Sequence, residues 1–205
     1  MRSLGNQRGS LVDVLVAHGG AQAQSGQQAL AGVAREVALA ILGVVALAVS
    51  AHVIIPLPFT PVPITGQTFV VLLLAAAYGA RRGLATVGLY LAAGAAGLPV
   101  FAAIPGVATY GYLAGFALAA VIVGWLAEHG WDRSLLTSVV AMLLGEVAIF
   151  GCGMIWLARF VGWEHVVAFG LTPYLAGDAL KLLAAALLAP AAWLATRRVL
   201  GQEPR

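Results

Sequence analysis

The chain has 205 residues, of which 61% are hydrophobic and only 9% charged, with a formal net charge of +3. A soluble domain carries about 25% charged residues, so this composition, with a mean hydropathy of +0.96, excludes a water-facing surface and reads as an all-α integral membrane protein. The single cysteine excludes an internal disulfide and a thiolate metal site, and the basic residues lack the interleaved aromatics of a nucleic-acid-binding face, which leaves them as topology signals.

Residues 1–32, with GNQRGS at Gly5–Ser10 and AQAQSGQQ at Ala21–Gln28, are rich in Gly, Gln and Ser. They are expected to form a mobile cytoplasmic tail with a short surface helix at Ser10–His18. The apolar run Leu11–Ala17, interrupted by Asp13, is too short for a cleavable signal. A membrane domain of six helices is expected over residues 33–200. Its first span is Ala34–Val53, with small residues four apart at Ala34/Ala38 and Ala46/Ser50, a spacing that lets helix backbones approach closely. Four prolines between Pro56 and Pro63 preclude a helix there and predict an ordered, uncharged loop over Pro56–Phe69. Span two is short, Thr68–Tyr78, and is closed by Arg81 and Arg82. Span three is Leu84–Leu98, followed by the turn Gly97–Phe101 (GLPVF) and an uncharged loop to Ala108. Span four is Tyr110–Leu126, Glu128–Arg133 is a polar connection, and span five is Leu135–Leu157. The segment Arg159–His165 is polar again, with Trp156 and Trp163 suited to the membrane interface. Span six opens with Thr172 as N-cap and Pro173 as first helical residue, and ends before Arg197.

Alternating six spans puts Arg2, Arg8, Arg35, Arg81, Arg82, Arg133, Arg197, Arg198 and Arg205 on one side and Arg159 on the other. The positive-inside rule then makes both termini cytoplasmic. The Pro-rich loop, the GLPVF turn and the start of span six face outside.

Two formal charges, Asp178 and Lys181, stand in the otherwise apolar run Pro173–Trp193. Three residues apart, they share a helix face, and each costs roughly 2.5–3.5 kcal/mol at mid-membrane depth. They read as a pair aimed into a polar pocket. The alternative is an internal ion pair that only stiffens the helix, a use that seldom improves stability over apolar packing. Glu146, inside span five, could contact a ligand, pair with Lys181 or Arg159, or sit protonated in the core. Thr65 and Gln67 offer neutral donors and acceptors, to a ligand or to backbone groups freed by Pro61 and Pro63. Tyr90, Phe101, Tyr110, Tyr112 and Tyr174 offer aromatic faces for stacking or for packing, and Tyr174 is favoured because it lies one turn before Asp178. His18, His52, His129 and His165 make no helical pair with a carboxylate, so no metal site is expected. Neither a Gly-x-Ser-x-Gly elbow nor a Walker loop occurs, so the chain is not expected to be an enzyme, and any ATP hydrolysis would belong to another subunit.

Four stretches carry a resemblance: PFTPVPITGQTFVVLLLAAAYGARRG from Pro58, LYLAAGAAGLPVF from Leu89, GYLAGF from Gly111 and PYLAGDALK from Pro173. In order and wording, from Pro58 to Lys181, they resemble the BioY family, the biotin-binding S components of energy-coupling factor (ECF) transporters. The resemblance implies a six-helix S-component fold in the plasma membrane (the inner membrane in a bacterial-type cell) that takes biotin from outside beneath loop caps. A transmembrane coupling protein and two ATPases complete uptake in that family, and some members lack a dedicated module. The resemblance carries ligand contact onto Asp178 and Lys181, and a small-residue motif for docking the coupling protein onto Ala34 and Ala38. Tyr174, Gln67, Thr65, Glu146 and Phe101 complete the candidate ligand set. The stretch Ala102–Leu113 (AAIPGVATYGYL) departs from the family's Gly-rich run, with Tyr110 where a glycine is common. Biotin's ureido N–H groups need acceptors, which an ionised Asp178 supplies, and Lys181 has three donors for the ureido oxygen or the carboxylate. A solitary biotin facilitator is the alternative. An intramembrane enzyme using Glu146, Asp178 and a rim histidine lacks a nucleophile–base pair, and a purely structural subunit leaves the intramembrane charges unexplained.

Overall fold

The computed structural model describes residues 9–19, 25–102 and 106–200. Helices α1 (Leu11–Gly19) and α2 (Ser25–His52) precede a two-stranded antiparallel ladder of β1 (Ile54–Ile55) and β2 (Ile64–Thr65). Then follow α3 (Gln67–Ala95), α4 (Tyr110–Glu128), α5 (Leu135–Val161), the one-turn α6 (Val166–Gly170) and α7 (Leu175–Val199). Five of these, α2, α3, α4, α5 and α7, are long and apolar enough to cross a membrane, and the chain is a multi-pass membrane protein.

The expected spans Thr68–Tyr78 and Leu84–Leu98 both fall within α3, which is not straight. Gly79 has φ 78 and ψ 176, outside helical space and in a region that only glycine enters readily. The side-chain amide of Gln67 donates to the Tyr90 hydroxyl at 2.7 Å, although residues 23 apart on a straight helix would be about 35 Å distant. The chain therefore reverses at Gly79, and α3 is a hairpin of two antiparallel arms. Glu128, at the end of α4, accepts the Ala80 N–H at 2.8 Å and caps the second arm. Gly124 lets α4 pass directly against the Gly79–Ala80 backbone.

At this end of the bundle α1 is tied down. Ser10 and Asp13 cap one another through the Ser10 N–H and hydroxyl, both at 2.9 Å from Asp13 Oδ2. Val14 packs on Trp193 with Leu11 and Leu200. Arg82 pairs with Asp13 at 2.5 Å and with Glu36 at 2.6 Å. Burial alone would raise the Asp13 carboxyl, but hydrogen bonds from Arg82 and Ser10 outweigh it and hold it below its ordinary value. The short helix expected at Ser10–His18 is thus present and packed. Of the expected tail, residues 1–8 and 20–24 lie outside the described residues, and α2 begins at Ser25, nine residues before the expected span.

Between α4 and α5, Gly130 turns with φ 87 into a 3₁₀ turn at Trp131–Arg133, and Ser134 caps α5. Asp132 is buried there and accepts the Trp193 indole N–H at 2.5 Å. Its second oxygen has no hydrogen-bond partner among the described residues. Burial pushes the carboxyl up to about 6, even with the indole N–H and the Arg133 charge drawing it down. The Arg133 guanidinium lies 4.6 Å over the Trp193 ring.

The last helix starts later than its sequence signals. Thr172 does not cap it: its N–H and hydroxyl turn back to the Val167 carbonyl, at 3.0 and 3.1 Å, and close α6. Tyr174 is the N-cap and Leu175 the first helical residue. The core runs through α3, α4, α5 and α7, with Leu72, Val123, Met142, Ile149 and Leu157 fully buried. By contrast α2 lies at the edge and leaves Leu30, Val37, Ile41, Val45 and Val49 exposed.

Candidate functional site

A cavity of about 50 Å³, partly open to solvent, lies at the end of the bundle that carries the β ladder. That is smaller than the roughly 300–1,000 Å³ usual for small-molecule sites, so a small-molecule guest fits only if the walls move apart. Its walls come from β2, both arms of α3, the GLPVF turn, α4, α5 and the start of α7.

Asp178 sits in the first turn of α7, where the unpaired N–H groups and helix dipole favour negative charge. It is buried, and Lys181, one turn on, donates to its Oδ1 at 2.5 Å. Lys181 also donates to the Thr65 carbonyl at 2.6 Å and to the Thr68 hydroxyl at 3.4 Å. Thr68 donates to the same Asp178 oxygen at 3.1 Å. The pair is therefore internally satisfied and also borders the cavity: Lys181 has used its three donors, while both bonds to Asp178 fall on one oxygen. A guest would gain access to Lys181 by taking over its long bond to Thr68.

Neutral groups make a second network. Thr65 donates to Gln67 Oε1 at 3.2 Å, Gln67 donates to the Tyr90 hydroxyl, and Tyr90 donates to the Val100 carbonyl at 3.1 Å. Phe101 meets Tyr90 edge-on, with ring centroids 5.3 Å apart. Thr65 and Gln67 thus join the ladder to the second arm of α3 and to the GLPVF turn. The Tyr174 hydroxyl donates to the Val62 carbonyl at 2.5 Å, and Thr60 donates to the Phe169 carbonyl at 2.8 Å. These bonds fasten the Pro-rich loop to α6 and α7, leaving the Tyr174 ring beside Phe150, 6.2 Å between centroids.

Eight of the sequence candidates, Asp178, Lys181, Tyr174, Gln67, Thr65, Phe101, Tyr90 and Tyr112, line this one cavity. Glu146 does not: it lines an adjacent groove between α5 and α7. Ala34 and Ala38 lie on the exposed face of α2, toward the opposite end of the bundle. Among the wall residues that sequence reasoning did not single out are Thr68 and Phe150. Thr68 bridges Asp178 and Lys181, and its signal was its place beside Gln67, where it was read only as the start of a span. Phe150, one turn beyond Glu146 on α5, forms part of the wall.

The BioY family profile matches residues 21–198, a range that contains every cavity residue. The chain belongs to the BioY family. Among curated BioY proteins, a probable biotin transporter from Pyrococcus horikoshii is 33% identical over 162 residues, covering 76% of this chain and 94% of that protein. The biotin transporter of Thermotoga maritima is 37% identical over 142 residues, covering 66% and 83%. That of Rhizobium etli is 36% identical over 148 residues, covering 65% and 79%. Among solved structures, the S-component for biotin from an ECF-type ABC transporter superposes with a TM-score of 0.70, covering 82% of this chain and 94% of its own. At 20% identity that likeness shows the fold, and this BioY chain has it.

Proposed function

We propose that this chain is the membrane-embedded biotin-binding subunit of an uptake system, taking the vitamin at the ladder end of the bundle. The observation that carries the proposal is the Asp178–Lys181 pair, joined to Thr68 beside a cavity with aromatic walls. A carboxylate accepts a ureido N–H, the ammonium donates to the ureido oxygen or to the valerate carboxylate, and aromatic walls cover the thioether ring. Tyr174, Gln67, Thr65 and Phe101 belong to the proposed binding set, the middle two chiefly by shaping the polar wall. Calorimetry on the purified protein tests this: biotin should give saturable heat and thiamine none, and absence of biotin heat overturns the proposal.

Counting the two arms of α3 separately gives six membrane segments, with both termini on the cytoplasmic side beside Arg81 and Arg82. A fluorescent protein fused after residue 205 should then fold and fluoresce while a periplasmic phosphatase at the same point stays inactive; the reverse pattern inverts the topology. The exposed face of α2, including Ala34 and Ala38, is the proposed docking surface for an ECF transmembrane coupling protein driven by two ATPases. Among the described residues that face leaves Val37, Ile41 and Val45 exposed, and α2 is the least buried of the five long apolar helices, which is the support for partnered over solitary uptake. Catalysis has no part in this reading.

A further inference from the structure

Glu146 is 5% exposed, and neither of its carboxyl oxygens has a hydrogen-bond partner among the described residues. A buried polar group left unmatched costs about 1–3 kcal/mol, and more when charged. The charges whose fields reach it are Asp178 and Lys181 on α7, and Lys181 is already committed to Asp178, Thr65 and Thr68. The groove it lines has apolar walls, among them Leu143, Val147 and Gly151 of α5 and Ala179 and Leu182 of α7, around a volume of about 540 Å³ open along one side. None of these side chains carries a donor. Phe150 and Asp178 line both this groove and the cavity, so the two spaces share a wall.

We propose that the groove is a second station for the ligand, in which Glu146 holds the N–H/C=O edge of a cyclic urea. This rests on the reading of biotin as the ligand. The chemistry matches at both oxygens: one accepts the ureido N–H, while the other, as the neutral acid, donates its proton to the adjacent ureido oxygen. The thioether ring fits the apolar walls. The tail leads toward the end of the groove bounded by Met154, Leu171 and Leu175, where α5 ends and α7 begins.

Calorimetry of biotin on the full-length protein in lipid nanodiscs, carried to millimolar ligand, tests the station. Two classes of site are expected, a tight one and a weaker one. Glu146→Leu should weaken the second class at least tenfold and spare the first. Gly151→Leu should do the same, because Gly151 lines the groove and a Cβ there meets nothing within 4 Å, so the added side chain takes up groove space and the bundle core is left alone. A single class in the wild type overturns the station, as does a weak class untouched by both substitutions. Loss of the tight class in Glu146→Leu with both classes intact in Gly151→Leu also overturns it, by assigning Glu146 to the cavity. No biotin heat at all defeats the function proposed above, and the station with it.

Discussion

On the function proposed above, Asp178 and Lys181 serve stability and capture at once, and substitutions can separate the two. Lys181→Met leaves a buried carboxylate without its cation, a loss of about 3–5 kcal/mol by analogy with broken buried pairs. The double change Asp178→Asn with Lys181→Met removes both charges and should recover most of that stability in a thermal unfolding assay in detergent. Capture should not recover. Asp178→Asn alone is expected to weaken biotin binding about 10- to 100-fold, the loss of a hydrogen bond to a charged group, and wild-type affinity in that variant would leave the pair a purely structural role. These two residues were legible in the sequence because a charge in an apolar span needs a reason. Thr68 was not, since a threonine at a loop–helix junction is ordinary and its partners are 110 and 113 residues away. Glu146 was visible as an anomaly, but its side of the wall depends on how α5 is rotated against α7, and that rotation comes from packing.

At the scale of elements, the α3 hairpin was legible in outline, because Arg81 and Arg82 interrupt an otherwise apolar run. Its pivot was not: Gly79 sits among small residues, and the Glu128 carboxylate that caps the second arm comes from another helix. The start of α7 was misplaced for a similar reason. Thr172 and Pro173 carry the marks of a helix start, but the Val167 carbonyl captures Thr172. The 3₁₀ turn between α4 and α5 has a pH response of defined sign. Asp132 binds its proton more tightly in the folded chain than its ordinary 3.8, at about 6, so the folded state holds the extra proton between those values. Stability should therefore fall as pH rises through that window, by on the order of 3 kcal/mol. Melting temperature against pH should show the decline, and Asp132→Asn, which keeps an acceptor for the Trp193 indole, should flatten it. A wild-type curve that rises instead would show that the ionised form is the one the fold prefers.

The whole molecule sets how far a guest must travel from water. The first arm of α3, from Gln67 to Tyr78, is about 18 Å long, whereas the apolar layer of a bilayer is about 30 Å thick. In the orientation proposed above, with Arg81 and Arg82 keeping the Gly79 turn at one boundary, Gln67 and Thr68 end well short of the other. In that orientation the floor of the cavity lies several ångströms beneath the lipid surface and meets water only through its open side. Attraction between this floor and an anionic guest should be deaf to ionic strength: raising sodium chloride from about 50 to 500 mM, which shortens the reach of exposed charges to a few ångströms, should leave the dissociation constant for biotin within twofold. A steep loss of affinity with added salt would mean that the decisive contacts are made at the rim.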